Sequence, residues 1–135
     1  MKNYTLSKNE RLKLKKDFLK VYSEGKQLIS LQKILKVNYY WESSVNESNV
    51  KAAFVVSKKS GNAVWRNRVK RLLREVYRHN KEILNNVCSL NNLDLLIVFT
   101  PYYINQKRNR VIKLDFIVND FIGLLVTLKN KIENA

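Results

Sequence analysis

Between residues 50 and 80 the hydrophobic period changes once, and that change limits what the chain can build. Over residues 50–57, Val50, Ala52, Phe54 and Val56 share one face while Ala53 and Val55 occupy the other, the pattern of a strand apolar on both sides and so interior to a sheet. Gly61 and Asn62 interrupt, with Asn62 placed to cap a helix running to about residue 80. There Trp65, Val69, Leu72, Leu73 and Val76 fall on one side, and Asn67, Lys70, Arg71, Arg74 and Arg78 on the other. Such a strand-to-helix unit needs a sheet for its apolar faces and leaves a cationic face uncovered.

The remaining segments supply the partners. Leu12, Leu14, Phe18, Leu19, Val21 and Tyr22 recur mostly at three- and four-residue steps, which predicts a first helix over residues 8–22 stopped at Glu24-Gly25. Residues 28–41 are aromatic and β-branched, with a short extra strand near Leu28; residues 42–49 are a polar turn region, so a hairpin or meander into the strand at 50–57 is expected. Residues 93–99 read as a buried strand ended by Pro101, and residues 111–131 as a closing helix built on Leu114, Ile117, Val118, Phe121, Ile122, Leu125 and Leu128. The expected fold is α+β, an α/β sandwich with a mixed sheet and the order α-β-β-(β)-α-β-α. At 135 residues and 45% hydrophobic content it makes one domain, residues 1–135, with a core that needs no cross-link.

Charge narrows the function. Lys and Arg number 26 against 11 Asp and Glu, a net +15, which points to a polyanionic partner. The excess is concentrated: residues 58–78 hold eight cations and Glu75, net +7, and residues 1–26 hold a further +5. A surface evolved only for solubility would interleave both signs. One cysteine and one histidine exclude a disulfide framework and an ordinary zinc cluster. The first residues lack an apolar signal run and no stretch reaches bilayer length, so a cytoplasmic protein without a membrane partner is expected.

Individual residues carry two readings each. Phe18 and Tyr22 are four apart on one helix face; spacing alone favours core, but over an open sheet the two rings could stack the bases of a single strand. The run Tyr39-Tyr40-Trp41 sends at most one side to the core. His79 suits a helix C-terminus, and Cys88 reads as an incidental thiol in a polar loop. The acids are scattered and no tuned acid–base pair is evident, so no catalytic or metal-binding residues are assigned to the chain.

The block from Val56 to Glu75, with Lys58-Lys59, Gly61-Asn62-Ala63-Val64, Arg66-Asn67-Arg68 and Lys70-Arg71 in that order, resembles the signature of the bacterial ribonuclease P protein subunit, the Arg-Asn-Arg motif family. The resemblance implies a left-handed β-α-β crossover through the basic helix, contrary to the usual hand. It implies a chain that assists a catalytic RNA in removing the 5′ leader of precursor tRNA, as a monomer in a 1:1 complex with that RNA. Contact with the RNA subunit carries over to Lys58, Lys59, Arg66, Asn67, Arg68, Lys70, Arg71 and Arg74. Leader binding in a cleft between the first helix and the sheet carries over to Phe18 and Tyr22. Many relatives place an aromatic on the cleft-facing strand; a count from Gly25 puts Lys36 there, with Tyr39 as the alternative. Mg²⁺ is the implied cofactor, held mainly by RNA. A ribosomal or general RNA-chaperone protein is the alternative function, and a helix-turn-helix DNA regulator is disfavoured because strands flank the basic helix.

Overall fold

The structure, a computed structural model, describes residues 5–135. Residues 1–4, which include Lys2 of the first basic segment and the start of the stretch read above for a signal run, lie outside the described residues. In chain order the elements are α1 (Lys15–Glu24), β1 (Lys26–Ile29), β2 (Leu35–Ser43), β3 (Val50–Phe54), α2 (Ala63–Asn80), α3 (Glu82–Asn91), β4 (Leu93–Pro101) and α4 (Leu114–Glu133). One mixed sheet has the order β1-β2-β4-β3, antiparallel except for the β3/β4 pair. The parallel pair is joined through α2 and α3 together.

Alternation along the two central strands divides the molecule into layers. Leu35, Val37 and Tyr39 of β2 and Leu95, Ile97 and Phe99 of β4 point into the larger core beneath α2, α3 and α4. Aromatic rings fill its centre: Phe99 lies 4.4 Å from Phe121 and 5.5 Å from both Tyr77 and Phe54, centroid to centroid. The opposite face carries a smaller cluster in which Leu12 and Val21 meet Ala53 and Val98, with Phe18, Tyr40, Val55 and Leu96 at its border. α1 and the segment just before it cover that face. Gly25 ends α1 where a Cβ would run into the carbonyl oxygens of Val21 and Tyr39, so glycine is needed there for close approach to β2.

Several sequence expectations need correction. The first helix begins at Lys15; residues Lys8–Glu10 form a separate 3₁₀ turn, and Arg11 pairs with Ala52 as an isolated parallel bridge. β3 is an edge strand, and β4 takes the interior position. The two-sided apolar pattern of β3 has a local cause: Leu12 N–H donates to Ala52 O at 3.0 Å, so the amino-terminal segment closes the edge and buries Ala53 from the α1 side. β2 and β3 form no hairpin, because β4 lies between them; the hairpin is β1/β2, with Lys26 opposite Tyr39 and Ile29 opposite Lys36. Cys88 sits fully buried in α3, a helix disguised by its asparagines. The closing helix starts at Leu114, and Pro101 is the last residue of β4, opposite Leu35.

The amino-terminal segment is anchored at one point. Ser7 N–H donates to Glu10 Oε1 at 3.0 Å, and the Glu10 carboxylate receives Lys81 Nζ at 2.9 and 3.2 Å. Lys81, buried at the α2/α3 junction, also donates to Thr5 O at 2.7 Å. Burial opposes ionisation of Glu10, but the Ser7 and Lys81 hydrogen bonds outweigh it and hold the carboxyl below its usual range. This pair fixes the approach of residues 5–14 to the β3 edge.

Candidate nucleic-acid interface

Asn62 caps α2 as its sequence position predicts, its side-chain oxygen accepting from Trp65 N–H at 2.9 Å. Trp65, Val69, Leu73, Val76 and Tyr77 turn inward, with Leu72 half-buried. Lys58, Lys59, Asn67, Arg68, Arg71 and Arg74 are exposed, and Arg66 and Lys70 are partly so. Among the described residues none of the seven cations in that set forms a salt bridge, whereas Arg78 spends its charge on Glu75 at 2.6 Å. The Arg78 hydrogen bond, aided by His79, holds the Glu75 carboxyl below its usual range. The free positive charge on this helix therefore lies N-terminal to Arg78.

Two of the motif arginines are braced. Arg66 Nε donates to Gly61 O at 3.0 Å and Arg68 Nε to Ile112 O at 3.3 Å. One edge of each guanidinium is thus tied to backbone, and the terminal nitrogens keep the geometry for two-point phosphate contact. Bracing reduces the rotamer entropy that binding would otherwise cost.

The structure adds an element that charge counting passed over. The loop at 105–110 packs on the N-terminus of α2: Gln106 N–H donates to Ser60 O at 2.7 Å, Asn62 N–H to Gln106 Oε1 at 2.8 Å, and Trp65 Nε1 to Asn109 O at 2.9 Å. A Cβ on Gly61 would fall within 2.8 Å of both Gln106 Cβ and the Trp65 ring, so this glycine permits the packing. Lys107 is thereby brought to the rim of a hollow shared with Lys59, and Arg108 and Arg110 are exposed beside it. In sequence Lys107 sits 48 residues from Lys59, in a segment of modest net charge; only the fold unites them.

On the other face, Phe18 and Tyr22 stack with centroids 6.5 Å apart and planes 19° from parallel. Phe18 is half-buried against the smaller cluster and Tyr22 is exposed, so each of the two readings of this pair describes one ring. Lys36 also lies on this face, partly exposed, with its Nζ 5.8 Å from the Tyr102 ring centroid. Tyr39 does not join them. It points through the sheet into the larger core and stacks on Trp41 at 5.6 Å, because β2 alternates and its odd positions face α4. The ring that β2 presents to the α1 face is Tyr40, over which Lys20 Nζ sits at 5.4 Å.

The two surfaces meet at the β3 edge. A groove of about 320 Å³ is lined by Phe18 from α1, Arg11 and Lys13 from the amino-terminal segment, Val55, and Arg74 from α2. The sheet therefore does not hold the basic and aromatic faces fully apart. Among the described residues no helix is long and apolar enough to cross a membrane.

Known proteins are similar to this chain in sequence and in fold. A family model described as Ribonuclease P matches residues 6–117. The ribonuclease P protein component of Petrotoga mobilis is 38% identical over 117 residues, spanning 84% of this chain and 95% of that protein. The component from Dictyoglomus turgidum is 37% identical over 98 residues, 73% of this chain and 74% of that protein. Among solved structures, RNase P protein from Thermotoga maritima superposes with a TM-score of 0.65 at 28% identity, covering 86% of this chain and 94% of that one. The Staphylococcus aureus protein gives 0.64 at 25% identity and 93% of each chain.

Proposed function

The chain belongs to the ribonuclease P protein family, and on that premise we propose a division of labour between its two surfaces. As a ribonuclease P protein subunit it partners a catalytic RNA and precursor tRNA in 5′ maturation. That family match selects the ribonuclease P reading over a ribosomal or general RNA-chaperone role.

In our reading, Arg66, Asn67, Arg68, Lys70 and Arg71, extended by Lys58, Lys59 and Arg74, bind the RNA subunit; Phe18, Tyr22 and Lys36 bind the leader. Tyr39 is left out, since its ring is committed to the core. The observation that carries the assignment is the set of cations free of carboxylates on the solvent side of α2, two of them braced by backbone carbonyls. Phosphate neutralisation there releases counterions, so assembly is strongly salt-dependent. The Mg²⁺ implied for the holoenzyme is assigned to RNA phosphates. In our reading the chain's own work is to bind and to orient. A 1:1 complex is the proposed stoichiometry.

Reconstitution with a cognate catalytic RNA at low magnesium tests the division. Arg66→Ala/Arg68→Ala should impair holoenzyme assembly, and Phe18→Ala/Tyr22→Ala should weaken affinity for leader-bearing substrate. Identical phenotypes would refute two functional surfaces, and cleavage by the protein without RNA would refute the auxiliary role.

A further inference from the structure

The face of the sheet under α1 has two chemically opposite ends. At one end a hollow of about 310 Å³ collects Asp17, Glu42, Glu47 and Asp94, tempered by Lys20 and Lys51. Tyr40 Oη donates to Glu42 there at 3.2 Å, and Lys20 pairs with the same carboxylate at 3.5 Å. Four of the chain's 11 acids meet at this place, which repels a phosphate backbone.

At the other end the acid nearest the β1/β2 loop, Asp120, is buried and accepts from Gln32 N–H at 3.0 Å. From Leu96, where α1 packs, to Thr100 the strand advances about 13 Å, and just beyond it Tyr102 and Tyr103 stand as a stacked pair, centroids 4.3 Å apart and planes 15° from parallel. They are 37% and 52% exposed, large areas for rings that contribute nothing to either core cluster. The backbone of the pair is nevertheless anchored. Tyr102 N–H donates to Ile34 O at 2.9 Å and Tyr103 N–H to Lys33 O at 3.1 Å, which ties both residues to the β1/β2 loop. A hydrogen bond with Tyr103 raises the Tyr102 phenol above its ordinary value. Lys36 adds a cation over the Tyr102 ring, and Ile29, opposite Lys36 on β1, leaves a further exposed apolar surface.

We infer that Tyr102 and Tyr103, with Lys36, form a second base-stacking platform that receives unpaired leader nucleotides beyond those at Phe18 and Tyr22. The platform rests on the leader reading given above and adds a direction to it: the strand runs away from the Glu42/Glu47/Asp94 end and toward the end of β4. Stacked, exposed rings beside a lysine suit stacking of any base, so the platform contributes affinity without sequence preference.

Affinity of the reconstituted holoenzyme for precursor tRNA with a long leader and for leaderless tRNA tests this directly. Tyr102→Leu/Tyr103→Leu should weaken binding of the long-leader substrate by about ten-fold, leave leaderless tRNA unchanged, and be rescued to within about two-fold by Tyr102→Phe/Tyr103→Phe. If the leucine pair has no effect while Phe18→Leu/Tyr22→Leu weakens leader binding, the platform is wrong and the leader cleft stands. Equal losses for both substrates would place the tyrosines against another part of the RNA and overturn the proposal. If neither pair matters, the leader reading beneath it fails as well.

Discussion

Phe18 of α1 and Arg74 of α2 line one groove at the edge of β3, where the Arg74 guanidinium also lies 5.9 Å from the Phe54 ring centroid. An aromatic from the proposed leader surface and a cation from the proposed RNA-subunit surface thus share a wall, with Arg11 and Lys13 beside them. Arg74 occupies the position from which one charge can act on both clients. Arg74→Gln should weaken holoenzyme assembly and leader-bearing substrate binding together, each by a few-fold, whereas Arg71→Gln, one turn earlier and outside the groove lining, should affect assembly alone. Filter-binding titrations of the two steps separate these outcomes.

The anchor between Glu10 and Lys81 makes stability sensitive to acid. Because the folded Glu10 carboxyl ionises below its usual value, its stabilisation is complete above the ordinary carboxylate range and is lost as pH falls through the depressed folded value. Glu10→Gln should lower stability at neutral pH by about 2 kcal/mol, the scale of a hydrogen bond to a charged group. The difference from the parent should shrink toward pH 3. Urea midpoints at the two pH values give the comparison, and a difference independent of pH would show that ionisation of Glu10 is irrelevant.

Burial, helped by the nearby Asp94 charge, pushes the Cys88 thiol up to about 12. The folded protein should therefore resist alkylation near neutral pH, with labelling appearing only as urea unfolds the chain. Rapid labelling of the native protein would contradict the placement of Cys88 inside α3.

How much of this was legible in the sequence depends on where the information sits. The cap at Asn62, the inward face of α2 and the cationic face opposite are consequences of local period, and the structure reproduces them. The place of β3 in the sheet is not local. Its two-sided apolar pattern is indistinguishable from that of an interior strand, since an amino-terminal segment more than 35 residues away covers its edge. Likewise Tyr39 and Tyr40 differ only in parity, and one residue of register decides which ring faces α1. The cations at 107–110 are brought beside the N-terminus of α2 only through Gln106 and Gly61, whose packing no periodicity encodes.

The loop joining those cations to α2 is itself testable. Gly61→Ala places a methyl group where Gln106 and Trp65 leave no room, so it should displace the 105–110 loop and weaken assembly at least as much as Lys107→Ala/Arg108→Ala. The salt dependence of assembly should flatten in the second variant by roughly one ion for each phosphate that it no longer neutralises. An unaltered slope would remove the loop from the interface.

The division of labour is tested most directly by measuring, in one reconstituted system, protein affinity for the catalytic RNA and holoenzyme affinity for precursor tRNA with and without its leader. Arg66→Ala/Arg68→Ala should reduce RNA-subunit affinity by roughly a hundred-fold, the scale of two charge-assisted hydrogen bonds, with the ratio of leader-bearing to leaderless binding preserved in whatever holoenzyme forms. Phe18→Ala/Tyr22→Ala should do the reverse, collapsing that ratio while assembly is spared. Equal losses of assembly and of leader discrimination in both variants would contradict two surfaces with separate RNA clients.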